Sequence, residues 1–187
     1  MNRDQALKIV HDWTKNQNLV KHMLAVEAQM RALAKYFKED QDLWGLVGLL
    51  HDADYEMFSK EPEKHPSKIF EKLEEIKADT KITKAIQSHA WGWRDDAPEP
   101  SSKMDWSLYC SDDLSGLIIA CALVKPDKKL ASVTVKSVLN KWNQKSFAAG
   151  AHREPAELSE EKLGIKLEDF IKICLKALQN ISKDLGL

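Results

Sequence analysis

Six side chains in this 187-residue chain combine a metal-binding type with a place at a helix end or on an apolar helix face: His22, the adjacent pair His51 and Asp52, His65, His89 and Asp112. The pair is the most informative, because it closes the apolar run Trp44-Gly45-Leu46-Val47-Gly48-Leu49-Leu50. Such a run enters a core, where an unpaired carboxylate is expensive. A metal ion is an economical partner for Asp52. A mixed set of imidazole and carboxylate without thiolate suits iron, manganese, cobalt, nickel or zinc better than copper(I) or an iron-sulfur cluster. Taken singly, each residue has a plainer role: His22 as a hydrogen-bonded core histidine, His65 as a loop or capping residue, His89 as a histidine favoured by a helix C-terminus.

The elements that must carry these residues are helices. Long stretches of 3.6-residue period, few glycines and prolines, and no clear alternating segment predict an all-α protein. Asn2 or Asp4 can cap a first helix to about residue 16, and Asn18 a second to about residue 38, with His22 continuing the stripe Val26, Met30, Leu33 and Phe37. A third helix over about 41–51 ends at His51. Pro66 starts the next, leaving His65 at its mouth and a helix end near Lys77. Asp79 caps a helix in which Ile82, Ala85, Ile86 and His89 share a face. From 102 to 124 the pattern is apolar nearly all round, which predicts a helix buried in the middle of a bundle with Asp112 and Asp113 inside it. An amphipathic helix over about 167–185 closes the chain.

Composition bounds the rest. A length of 187 residues with 43% hydrophobic content suits one core, and a formal charge of -1 gives no general attraction to nucleic acid or anionic membrane, so no stable nucleic-acid complex is expected. Cys110, Cys121 and Cys174 are isolated in apolar stretches and read as buried thiols of a reducing compartment. The N-terminus lacks a signal-peptide pattern and no apolar run approaches the roughly 20 residues of a membrane span. The expected location is cytoplasmic. The one charge asymmetry lies in residues 125–153, where Lys125, Lys128, Lys129, Lys136, Lys141, Lys145 and Arg153 stand against Asp127, a local 7 - 1 = +6.

His22, His51-Asp52 and the aspartate of Cys110-Ser111-Asp112-Asp113-Leu114-Ser115-Gly116 resemble the H...HD...D signature of the HD superfamily of metal-dependent phosphohydrolases. The additional His65 and His89 resemble its binuclear branch, which includes HD-GYP cyclic dinucleotide phosphodiesterases, a diadenosine tetraphosphatase group and the inositol oxygenase type of diiron enzyme. The phrases Leu49–Tyr55, Asp113–Ile118 and Lys145–Gly150 resemble a small bacterial family of predicted HD hydrolases, a likeness covering about residue 20 to the C-terminus.

The resemblance implies a single HD domain over 1–187, with a metal core at about 18–124 and a C-terminal helical extension at about 125–187. It further implies one metal held by His22, His51, Asp52 and Asp112, with Asp52 bridging to a second held by His65 and His89. Asp112 is favoured over Asp113 by the family phrase alone. A water between two such ions would be acidified into a nucleophile while the metals neutralise a phosphoryl group. Many binuclear members follow the HD pair with Gly-Lys, whereas this chain has Asp54-Tyr55. The missing cation must then come from Lys125, Lys136, Lys145 or Arg153, with Arg153 favoured for its bidentate fit to phosphate. Asp52, Asp54, Lys145 and Arg153 are the expected catalytic residues, Asp54 as a partner of a ligand histidine or as a loop residue. The expected substrate is a small phosphorylated molecule; oxidative cleavage of a C–C or C–P bond by a diiron site and a non-catalytic, metal-stabilised ligand-binding domain are the alternatives.

Overall fold

The α2 helix, Gln17–Phe37, is one of two long rods in the molecule; the other is α6, Lys103–Leu123. The structure is a computed structural model describing residues 1–187. Before α2 runs α1 (Arg3–Trp13), and after it α3 (Gln41–Leu50), α4 (Ser67–Glu75) and α5 (Thr80–Ser88). Beyond α6 come α7 (Val135–Trp142), the short α8 (Glu154–Glu157) and α9 (Ser159–Leu163), then α10 (Leu167–Asn180) and α11 (Ser182–Leu185). No strand forms; the one isolated bridge joins Trp91 and Arg94. The all-α expectation therefore holds.

Local chemistry explains the boundaries. Asn2 closes a capping box with Gln5, and Asp79 accepts from the Lys81 N–H. The α2 helix starts earlier than the Asn18 cap expected from sequence, because the Asn16 side chain takes the N–H of Asn18. The α4 helix stops at Glu75, and Lys77 then adopts a left-handed conformation with φ of 51°. The closing helix breaks at Ile181, after which α11 brings Leu185 into the core beside α2.

A single cluster of 43 buried residues runs from Ala6 to Leu185. The α6 helix is buried on nearly every side, from Met104 to Ala122, as its all-round apolar pattern requires. Buried Cys110, Cys121 and Cys174 are free thiols, and burial pushes Cys110 up to about 12. No helix is long and apolar enough to cross a membrane.

A close contact between α2 and α3 sets up the site. A Cβ on Gly48 would lie 2.8 Å from the Val26 carbonyl oxygen and 2.9 Å from Glu27 N and Cα, so only glycine lets α3 lie directly on the α2 backbone. One turn toward the N-terminus, Gly45 leaves room for Arg31, whose Nε donates to the buried Glu27 at 2.9 Å while Arg3 donates to the same carboxylate from α1 at 2.7 Å. Two guanidinium groups thus satisfy a carboxylate that would be costly to bury alone.

Candidate metal centre

His22 projects from α2 toward the C-terminal end of α3, where His51 caps the helix and Asp52 follows in a run of turns. His65 precedes α4, His89 caps α5, and Asp112 stands midway along α6. The structure brings all six together. His22 Nε2 lies 3.2 Å from His51 Nε2 and 3.0 Å from Asp112 Oδ1, and His51 Nε2 is 3.3 Å from the same oxygen. On the other side His65 Nε2 lies 3.3 Å from His89 Nε2. Asp52 stands between the groups: Oδ2 is 3.4 and 3.5 Å from His22 and His51, and Oδ1 is 3.1 and 3.6 Å from His65 and His89.

These spacings fit metal binding. Ligand atoms about 2.1 Å from a shared ion, at octahedral to tetrahedral angles, stand roughly 3.0–3.4 Å apart. The donor set fits too, because each histidine's other nitrogen is engaged. His51 Nδ1–H donates to Gly48 O at 2.8 Å, His89 Nδ1–H to Ile86 O, and His65 Nδ1–H to Asp54 Oδ1 at 2.6 Å. A carbonyl or carboxylate can only accept, so these three imidazoles must carry the proton on Nδ1 and aim the Nε2 lone pair inward when neutral. His22 Nδ1 lies 3.0 Å from Ser115 Oγ, one turn beyond Asp112 on α6.

Without an ion, protons hold the cluster together. Burial opposes a charged His22, but hydrogen bonds to Asp112 and Asp52 outweigh it and push the imidazole up to about 10. His65 rises to about 9 against the same burial cost, through Asp52 and Asp54. Burial would raise Asp52 and Asp112, yet the surrounding histidines hold both below the usual carboxylate range. Four imidazoles and two ionised carboxylates turned on one another are the arrangement a divalent cation replaces.

Asp54 is fully buried; besides His65 it accepts the Ile69 N–H through Oδ2 at 3.0 Å, so it fixes a histidine to the start of α4 and does not face the cleft. Arg94 donates to the carbonyls of Glu63 and His65 and pairs with Asp96 at 2.7 Å, clasping the His65 segment from outside. Glu56 takes the N–H groups of Lys15 and Asn16 at 2.6 and 3.0 Å, which ties the turns after Asp52 to the start of α2. Asp113 lines the cleft beside Asp112, and burial, then the Asp112 charge, push its carboxyl up to about 6.

The ligands open into a cleft of about 780 Å³. Its aromatic wall is Tyr55, Trp91, Trp93 and Tyr109, while Trp106 packs behind, with its ring centroid 5.7 Å from that of Trp91. The opposite wall comes from the segment after α7, through Ala148, Gly150, Ala151 and His152, and from Glu154 and Pro155. Neither expected phosphate-binding cation lines this space. Lys145 is exposed, and with Arg153 it lines a smaller neighbouring pocket of about 240 Å³. The Arg153 guanidinium is spent on the carbonyls of Phe147, Ala148 and Ala151, so it shapes the loop that forms the wall. Lys125 and Lys136 are also outside the lining. Tyr109, His152 and Glu154 were not singled out by sequence; Tyr109 carried a signal only as the neighbour, one turn before, of Asp112 and Asp113 on α6.

No curated protein and no solved structure matches the chain. A family model described as HD domain matches residues 19–171, a span that contains every ligand candidate and both walls of the cleft. The chain belongs to the HD domain family.

Proposed function

We propose that the protein is a metal-dependent phosphohydrolase acting on a small phosphoester through a pair of divalent ions. One observation carries the reading: the two oxygens of Asp52 are divided between two sets of ligands, His22, His51 and Asp112 on one side and His65 and His89 on the other, beside an open cleft. Divalent ions at such positions supply Lewis acidity and an acidified water. The chain's own residues hold four lone pairs on target through Gly48, Ile86, Asp54 and Ser115, keep the ligand carboxylates ionised, and leave one side open to substrate. The HD family's metal-dependent hydrolases support the reaction class.

The test is a purified, manganese- or iron-loaded protein assayed for phosphate release across a broad panel of phosphoesters, beside Asp52→Ala. Loss of an outer partner of a ligand costs 10–100-fold in metal affinity or activity, so loss of the bridge is expected to cost more than about 100-fold in turnover, with a parallel fall in bound metal. No turnover of any phosphoester, together with unchanged metal content in the variant, would eliminate the reading.

A second reading is favoured by Asp54-Tyr55 standing where Gly-Lys is common and by the lack of lysine or arginine in the cleft: oxidative cleavage of a C–C or C–P bond by an iron pair with dioxygen. It requires oxygen consumption, and turnover that persists under anaerobic conditions excludes it.

A further inference from the structure

Around the metal ligands, the cleft has an unusual charge distribution for a site that takes phosphate. Among its 19 lining residues there is no lysine and no arginine. Beyond the ligands, the only basic side chain is His152, and it shares the wall with two carboxylates, Asp113 and Glu154. The remaining large surfaces are the faces and edges of Tyr55, Trp91, Trp93 and Tyr109, of which Trp93 is 52% and Tyr55 44% exposed at the mouth. Arg153 cannot turn in to help, since its guanidinium is engaged by three carbonyls, and Lys145 lines the neighbouring pocket that shares only Ala151, His152 and Glu154 with the cleft.

A phosphoryl group at the ligands would meet the positive charge of bound ions. A second phosphate, or a carboxylate on the organic part, would extend from there into a space whose fixed charges are Asp113 and Glu154 and which offers no cationic fork to pair it. Like charges set across a binding surface select against a ligand as effectively as attractive contacts select for one. Aromatic faces hold apolar or cationic groups well and repel an anion, and the Tyr and Trp donors on this wall carry no charge to neutralise one.

We infer that this cleft selects phosphomonoesters whose organic part carries no further negative charge, and discriminates against nucleoside di- and triphosphates and dinucleotides. The inference rests on the hydrolase reading for its reacting group and deepens it by naming the substrate class. Extended polyphosphates bind elsewhere by lysine and arginine clamps, and this wall carries carboxylates in their place.

The experiment uses the manganese-loaded full chain and a matched aryl series: phenyl phosphate, its 4-aminomethyl derivative and its 4-carboxy derivative, with AMP, ADP and ATP alongside. The expected result is that the 4-carboxy ester, ADP and ATP are each poorer than their partners in kcat/KM by about tenfold, the factor that corresponds to 1.4 kcal/mol. Equal or better turnover of these anionic members overturns the inference while leaving the hydrolase reading intact. If no ester is hydrolysed, the hydrolase reading fails, and the same ranking is read from calorimetric binding of the corresponding aryl phosphonates. Glu154→Gln and Asp113→Asn are each expected to narrow the penalty on the 4-carboxy member severalfold at unchanged manganese content. A penalty that neither variant alters means the carboxylates do not cause it, and the inference falls.

Discussion

At the scale of single residues, the site is governed as much by what stands behind the ligands as by the ligands. Asp54 shows this most directly, with one oxygen on the His65 imidazole and the other on the Ile69 N–H. In Asp54→Asn the amide can serve only one of these donors; the other then faces an NH2 group. Metal affinity on the His65 and His89 side is expected to fall 10–100-fold, the usual cost of removing a partner behind a ligand, while the ion held by His22, His51 and Asp112 stays. Calorimetric titration with manganese would show one of two binding steps weakened, and equal loss of both would contradict this role. The ligand types were readable in the sequence, and their number and order came with the family resemblance. Arg153 was not readable in the same way. Sequence shows a guanidinium in a basic stretch, but whether carbonyls or a substrate fill its donors depends on how the 147–153 loop folds back, and three carbonyls take them.

At the scale of elements, α1 to α6 were legible because α1, α2, α4 and α5 each bury one face, α3 and α6 follow runs apolar nearly all round, and a polar residue or proline marks each start. The segment between α6 and α10 was less so. Its helices are four to eight residues long and give too few turns to establish a period, so the wall of the cleft could not be drawn from sequence. The α2 and α3 pair illustrates what pattern alone does not express. Gly48 sits in an apolar run like any small core residue, yet its missing side chain permits the backbone contact and its carbonyl orients His51. Gly48→Ala places Cβ against backbone atoms that cannot rotate away. Overpacking of this kind costs about 1–3 kcal/mol. The expected outcome is a lower denaturation midpoint together with reduced metal content, measured by denaturant titration and metal analysis. A loss of stability with full metal content would separate the two roles.

At the scale of the whole molecule, the ligand cluster couples stability to pH and metal. In metal-free protein, His22 and His65 are raised to about 10 and 9. A raised pKa stabilises the fold fully below the ordinary histidine value of about 6.5 and loses that contribution as pH climbs through the folded values. Lowered Asp52 and Asp112 act in the opposite direction, stabilising above about pH 4 and failing as pH falls. The chelated protein is therefore expected to have its highest melting midpoint between these limits and to weaken above pH 7. Each kcal/mol lost lowers the midpoint of a domain this size by about 2–4 °C. Metal-loaded protein should diverge from it, because binding needs unprotonated imidazoles and strengthens as pH rises. Melting curves with and without chelator from pH 5 to 9 check both slopes, and parallel curves would refute the coupling.

The ligands are drawn from α2, from the ends of α3 and α5, from His65 two residues before α4 and from α6, whereas residues 125–166 contribute none. An occupied centre is thus a knot tied through one portion of the chain only. It should brace that portion against local opening, slowing amide exchange in α2, α3 and α6 in step, while leaving α7 to α9 and the wall they carry to breathe as before. Hydrogen exchange with and without manganese would show that boundary, and uniform slowing throughout the chain would erase it. The portion that grips the ions, with the aromatic wall it carries, would then be stiffened by them, and the wall formed by residues 148–155 would keep its own rhythm.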